Sequence, residues 1–118
     1  MNKKTLFITP PFTQLNTPYP ATAYLKGFLN TLNRPSNQAD LGIDLILELF
    51  SQHGLKQLFS VLEDSDIELS DNSYRIYALR EEDIFTIDPV IKFLQNTNPT
   101  LAHRICDRTY LPEASRFK

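Results

Sequence analysis

Apolar positions along this chain fall into blocks, and their spacing changes from block to block. Thr5-Leu6-Phe7-Ile8-Thr9 is a short run of apolar and β-branched residues without polar alternation. That pattern predicts a strand buried on both faces, as in a parallel sheet. Pro10-Pro11 ends it, because proline brings no amide hydrogen to the ladder. Residues 10–20 (PPFTQLNTPYP) contain four prolines and predict a rigid loop. Ala21, Tyr24, Leu25, Phe28, Leu29 and Leu32 then recur at helical spacing as one apolar stripe. Pro20 suits the first turn of that helix, where a missing amide hydrogen costs nothing. Residues 33–37 read as a turn, and Gln38-Ala39-Asp40-Leu41 as a second strand broken by Gly42. Strand, helix, strand is a βαβ unit.

The rest of the chain has helical spacing. Ile43, Ile46, Leu47 and Phe50 form a stripe for which Gly54 is the expected C-terminal stop. Leu55, Leu58, Phe59 and Leu62 form another, and the acidic stretch 63–73 predicts an exposed loop. Tyr74, Ile76, Tyr77 and Leu79 restart order as a helix. Asp88-Pro89 and Asn98-Pro99 each have the form of an N-cap followed by proline at the first helical position. They predict two further short helices, one carrying Val90, Ile91, Phe93 and Leu94, the other Leu101, Ala102 and Ile105. The expected fold class is α/β and helix-rich, with a βαβ start over residues 1–62 and a helical extension over 63–118. Two parallel strands are not a stable sheet by themselves. Completion by a downstream domain of the same polypeptide, or by a second copy, is therefore expected, with the chain continuing beyond Lys118.

Composition narrows the function classes. At 118 residues the chain has the length of one domain, and eight Phe with five Tyr supply material for a core. A net charge of −2 leaves no electrostatic footprint for nucleic acid or an anionic membrane. The single cysteine, Cys106, precludes an internal disulfide and points to a reducing, cytoplasmic compartment. Met1-Asn2-Lys3-Lys4 resembles the start of a signal peptide, but the apolar run behind it stops too early, at Pro10-Pro11. No segment approaches the ~20 apolar residues of a membrane span.

The segment TLFITPPFTQLNTPYPATAYLKGFLN, followed by QADLGIDLILELF, covers roughly the first third of the chain. It resembles the start of cobalamin-binding-domain radical S-adenosylmethionine proteins. In that family a first strand ends in a Pro-Pro turn, a proline-rich loop leads to a helix, and the second strand ends near an acidic residue. The matching features here are Leu6–Thr9, Pro10-Pro11, Pro18–Pro20, Tyr24–Leu29 and Asp40. The resemblance implies an incomplete flavodoxin-like arrangement and cobalamin as cofactor. Two departures bear on it. Cobalamin domains of the methyltransferase and mutase type carry Asp-x-His-x-x-Gly after the first strand, whereas Pro10–Pro20 has no histidine, aspartate or glycine. A radical iron–sulfur cluster needs three thiolates, so that cluster and S-adenosylmethionine would belong to a region beyond this chain.

Local chemistry is sparse. His103, Cys106 and Asp107 share one helix face, but they make an incomplete metal set, and no orienting group makes Cys106 a nucleophile. Cys106 is expected to be a small core residue. Carboxylates at Glu63-Asp64, Asp66, Glu68 and Glu81-Glu82-Asp83 sit in polar runs and read as a solvated surface. Three glycines without Gly-x-Gly-x-x-Gly spacing argue against a dinucleotide or P-loop site. The loop after the first strand stands apart, because open α/β sheets bind ligands beyond the carboxyl ends of their strands. The candidate cofactor-binding residues are therefore Thr9, Pro10, Pro11, Thr13, Gln14, Asn16, Thr17 and Tyr19, with Asp40 at the end of the second strand. The alternative is that four prolines only stiffen a connection. The expected function is an N-terminal cobalamin-binding-like or substrate-gating module of a radical S-adenosylmethionine enzyme, not catalytic alone. The competing expectation is a protein–protein interaction or dimerisation module without a cofactor.

Overall fold

The computed structural model describes residues 3–17 and 19–113. Met1-Asn2, Pro18 of the proline-rich loop and residues 114–118 lie outside them. The element order is β1 (Thr5–Thr9), α1 (Ala21–Thr31), β2 (Ser36–Asp40), α2 (Leu41–Leu49), α3 (Gln52–Glu63), α4 (Asp71–Ala78), α5 (Arg80–Leu94) and α6 (Leu101–Cys106). The fold is α/β, a two-stranded parallel sheet followed by several helices. It divides into two compact units, one ending at Ile46 and the other beginning at Leu47, so the division falls inside α2. The sequence reading divides the chain at the acidic stretch after residue 62.

In the first unit β1 and β2 pair in parallel from Thr5↔Ser36 to Thr9↔Asp40, with α1 packed on both strands. Asp40 ends β2 and at once caps α2, its Oδ1 accepting the Ile43 N–H at 3.0 Å. Leu41 is therefore the first residue of α2, not the last of the strand. Burial in β1 corrects the expectation of a strand covered on both faces. Phe7 is half-buried and Thr9 buried, whereas Leu6 is 57% and Ile8 50% exposed. A single helix covers only the face that bears Phe7 and Thr9. The α1 stripe is corrected too. Ala21 and Leu29 are half-buried, but Tyr24 (77% exposed) and Phe28 (60%) face away from the strands. Two five-residue strands are too narrow to cover the whole apolar face of an eleven-residue helix.

The second unit is built on α5, which packs against α3, α4 and α6. Leu55 and Phe59 of α3 and Leu101 of α6 are its buried apolar residues. Phe59 meets Tyr77 of α4 edge to face, with ring centroids 6.2 Å apart. Tyr77 donates a 2.7 Å hydrogen bond to Glu63, and the Arg80 guanidinium lies 4.2 Å from the centre of the Tyr77 ring. The hydrogen bond to Glu63 raises the Tyr77 pKa. Two of the carboxylates read as a solvated surface thus have specific surroundings. Glu63 holds α3 to α4, and burial raises the Asp83 pKa, with Glu82 adding to the effect.

Gly54 does not stop a helix. It lies in the first turn of α3, buried, with its N–H donating to the N-cap Ser51 Oγ at 3.0 Å. Ser51 in turn donates to the Glu48 carbonyl at 2.8 Å, which joins the end of α2 to the start of α3. Asp88-Pro89 likewise opens no helix, because both residues lie inside α5. The Asp88 carboxylate instead accepts the Gln52 N–H at 3.0 Å and so caps α3 from 36 residues away. Asn98-Pro99 does precede a helix, although α6 begins at Leu101, after Thr100. Cys106, expected in the core, is exposed at the end of α6, where Leu101 is the buried residue.

Two predictions follow from these contacts. Asp88→Ala is expected to lower stability by about 1 kcal/mol, the ordinary worth of a helix cap, while Asp88→Asn retains most of it. Urea midpoints of the two variants measure the difference. Asp83 supplies the second. Its folded-state pKa lies above its unfolded value, so its contribution to stability is fully present below the unfolded pKa and is lost as pH rises through the folded one. Asp83→Asn should therefore gain stability relative to the parent as pH is raised from about 3 to about 6, around the ordinary aspartate pKa. Urea titrations across that range would refute this if the two proteins kept a constant difference.

Candidate ligand cleft

The carboxyl ends of β1 and β2 open into a cleft of about 430 Å³ that lies wholly within the first unit. Thr9 enters it from the end of β1, Asp40 from the end of β2, and Thr13, Gln14, Thr17 and Tyr19 from the loop between β1 and α1. Pro10, Pro11 and Asn16 belong to the same loop but do not line the cleft. Pro10 acts through its carbonyl, which accepts a hydrogen bond from the Thr13 hydroxyl. Six further residues complete the lining: Leu15 from the loop, Thr22 and Ala23 from the first turn of α1, Gln38 and Ala39 from β2, and Ile43 from α2. The edge rule that singled out the loop applies equally to the last residues of a strand and the first turn of the next helix. Thr22, the polar residue of the Ala-Thr-Ala opening of α1, was the available signal.

The backbone explains why these side chains converge. Pro11 is followed by Phe12 in the left-handed region at φ 65°, which reverses the chain directly after β1. A type II turn asks for this combination of proline and positive φ, usually with glycine or asparagine at the second place. Phe12 is 92% exposed, so no burial offsets the strain of a bulky residue there. Phe12→Asn is expected to stabilise the chain by roughly 0.5–1 kcal/mol, since asparagine tolerates that region. A thermal melt that showed a loss would mean that the aromatic ring has a role of its own. At Gly42, the second residue of α2, a Cβ would lie 3.2 Å from Asp40 Oδ1 and 3.3 Å from the Pro10 carbonyl oxygen.

Among the described residues Asp40 is the one acidic side chain in the lining, which contains no lysine, arginine or histidine. The Thr9 residue is 3% exposed, and its hydroxyl has no hydrogen-bond partner among the described residues. The arrangement can bind and orient a polar group, but it holds no nucleophile–base pair. Elsewhere, His103 and Cys106 lie on α6 and Asp107 just past its end; among the described residues no three His, Cys, Asp or Glu side chains are placed to hold a metal ion. No helix among the described residues is long and apolar enough to cross a membrane. Comparison with protein-family models, with curated proteins and with solved structures found no match to this chain.

Proposed function

We propose that this chain contains a ligand-placing module with the flavodoxin-like, cobalamin-binding-like arrangement, serving a radical S-adenosylmethionine enzyme. One observation carries the reading: the Pro10–Pro20 loop lines an open cleft at the carboxyl edge of the sheet instead of packing flat beneath a helix. Parallel α/β sheets place ligands at that edge. The donor set fits a cofactor held by its polar periphery, through Thr9, Thr13, Thr17, Tyr19, Gln14 and Gln38. It does not fit a lower axial ligand, since no imidazole lines the cleft. When bound, cobalamin would supply the group-transfer chemistry, and this chain's residues would orient it and shield one side from water. The iron–sulfur cluster and S-adenosylmethionine would belong to a downstream region, in the cytoplasmic setting that the lone cysteine favours.

The test is absorbance-monitored equilibrium dialysis of the chain against hydroxocobalamin. Retained corrin absorbance that is lost in Thr9→Val supports the reading, and absence of retention refutes the cofactor assignment. A second reading rests on a separate observation. The sheet has two strands among the described residues, and Leu6, Ile8, Tyr24 and Phe28 leave apolar surface open around it. A dimerisation or interdomain module would cover that surface with a second copy or a downstream domain. Sedimentation velocity over a range of concentrations tests for the second copy, and a monomer throughout excludes it.

A further inference from the structure

The same cleft carries information about the charge of what it binds. We propose that it is built for an uncharged ligand group that hydrogen-bonds, a carboxamide or an alcohol, in preference to a carboxylate, a phosphate or an amine cation. This rests on the reading of the cleft as a ligand site, but not on the identity of the cofactor.

Asp40 carries the one formal charge in the lining among the described residues. Its carboxylate is engaged at the start of α2, where Oδ1 accepts the Ile43 N–H at 3.0 Å. A helix N-terminus carries roughly +0.5 of an elementary charge. The first turn of α1 reaches the same cleft through Thr22 and Ala23, and its N-cap position, Pro20, gives no side-chain cap. Two helix N-termini of about +0.5 each thus face one carboxylate of −1, and the site as a whole is close to neutral. An anion entering it would meet the remaining Asp40 oxygen. A cation would meet two positive helix ends. Neither charge finds a full partner.

Hydrogen-bonding capacity, by contrast, is in excess. Thr9 is a buried residue whose hydroxyl lines the cleft and has no partner among the described residues. The Thr13 hydroxyl spends its proton on the Pro10 carbonyl and offers the cleft an acceptor. Gln38, on the strand beside Thr9, adds an amide that donates and accepts. A ligand group that both donates and accepts satisfies this set, and carboxamides and alcohols are such groups.

The experiment is an NMR titration of the ¹⁵N-labelled full chain with acetamide, with acetate of the same shape, and with ethylammonium. Acetamide is expected to give saturable shifts centred on the Thr9, Thr22 and Gln38 amides, with acetate and ethylammonium at least about fivefold weaker. Thr9→Val should weaken acetamide about fivefold to tenfold, the effect of one hydrogen bond, and Thr9→Ser should restore it. Asp40→Asn keeps the cap but removes the charge that balances the helix ends, so it should strengthen acetate relative to acetamide. Acetate or ethylammonium binding as tightly as acetamide overturns the proposal, as does the absence of saturable shifts with all three. Acetamide bound without retained hydroxocobalamin removes the cofactor assignment and leaves this inference standing. Retained hydroxocobalamin with acetate preferred over acetamide does the reverse.

Discussion

Phe59→Ala is expected to destabilise the second unit by about 3 kcal/mol, the lower part of the range for removing a buried phenylalanine. Among the described residues Phe59, at 7% exposure, is one of three buried apolar residues, together with Leu55 and Leu101. Neighbours can collapse into the space only in part, because α3 is fixed at its start by Ser51 and by Asp88. The ring also meets Tyr77 edge to face, and such pairs contribute about 0.5–1.5 kcal/mol beyond the area they bury. Phe59→Leu separates the two effects, since it keeps most of the volume and loses the aromatic edge. Urea unfolding followed by far-ultraviolet circular dichroism measures both variants. A loss below about 1 kcal/mol for Phe59→Ala, the size of an ordinary surface effect, would show that this position is not a core position.

Gly54→Ala is the second large effect, and its sign runs against helix propensity. Alanine in place of a helical glycine ordinarily stabilises by about 1 kcal/mol. At Gly54 the added Cβ would lie 2.2 Å from the Glu48 carbonyl oxygen and 2.5 Å from that of Leu49. Both obstacles are backbone atoms, so no side-chain rotation relieves the clash. The end of α2 would have to separate from α3, with strain at the upper end of the ~1–3 kcal/mol typical of overpacking. A net loss of about 2 kcal/mol is expected after the gain in propensity. Gly27 is the internal control: it too lies within a helix, but a Cβ there meets nothing within 4 Å. Gly27→Ala should therefore stabilise the first unit by roughly 0.8 kcal/mol. Equal responses at the two glycines would refute the close approach at Gly54.

Much of the local order could be read from the chain because its causes act within a few residues. The strand over Thr5–Thr9 ends at Pro10 because proline cannot donate to a ladder, and the structure ends it there. The stripe that begins at Ala21 predicted α1, which starts at that residue after Pro20. The α/β, helix-rich class follows from these elements and from the helical spacing of the rest of the chain. Thr9, the loop and Asp40 could be brought to one edge because strand direction alone decides which ends of a parallel pair meet.

Where a side chain finds its partner depended on elements distant in sequence. Asp88-Pro89 has the local form of a helix start, yet Asp88 is drawn off to cap α3, and α5 runs through the proline while packed on that helix. Gly54 has the local form of a helix stop, and only the approach of Glu48 and Leu49 gives its missing side chain a purpose. The α1 stripe marks a helix but not which part of it is buried, because that depends on the width of the sheet beneath. Thr22, Gln38 and Ile43 join the cleft from three different elements. Periodicity and proline chemistry are properties of neighbours along the chain, whereas capping at a distance, close backbone approach and a shared cleft arise only once the elements have packed.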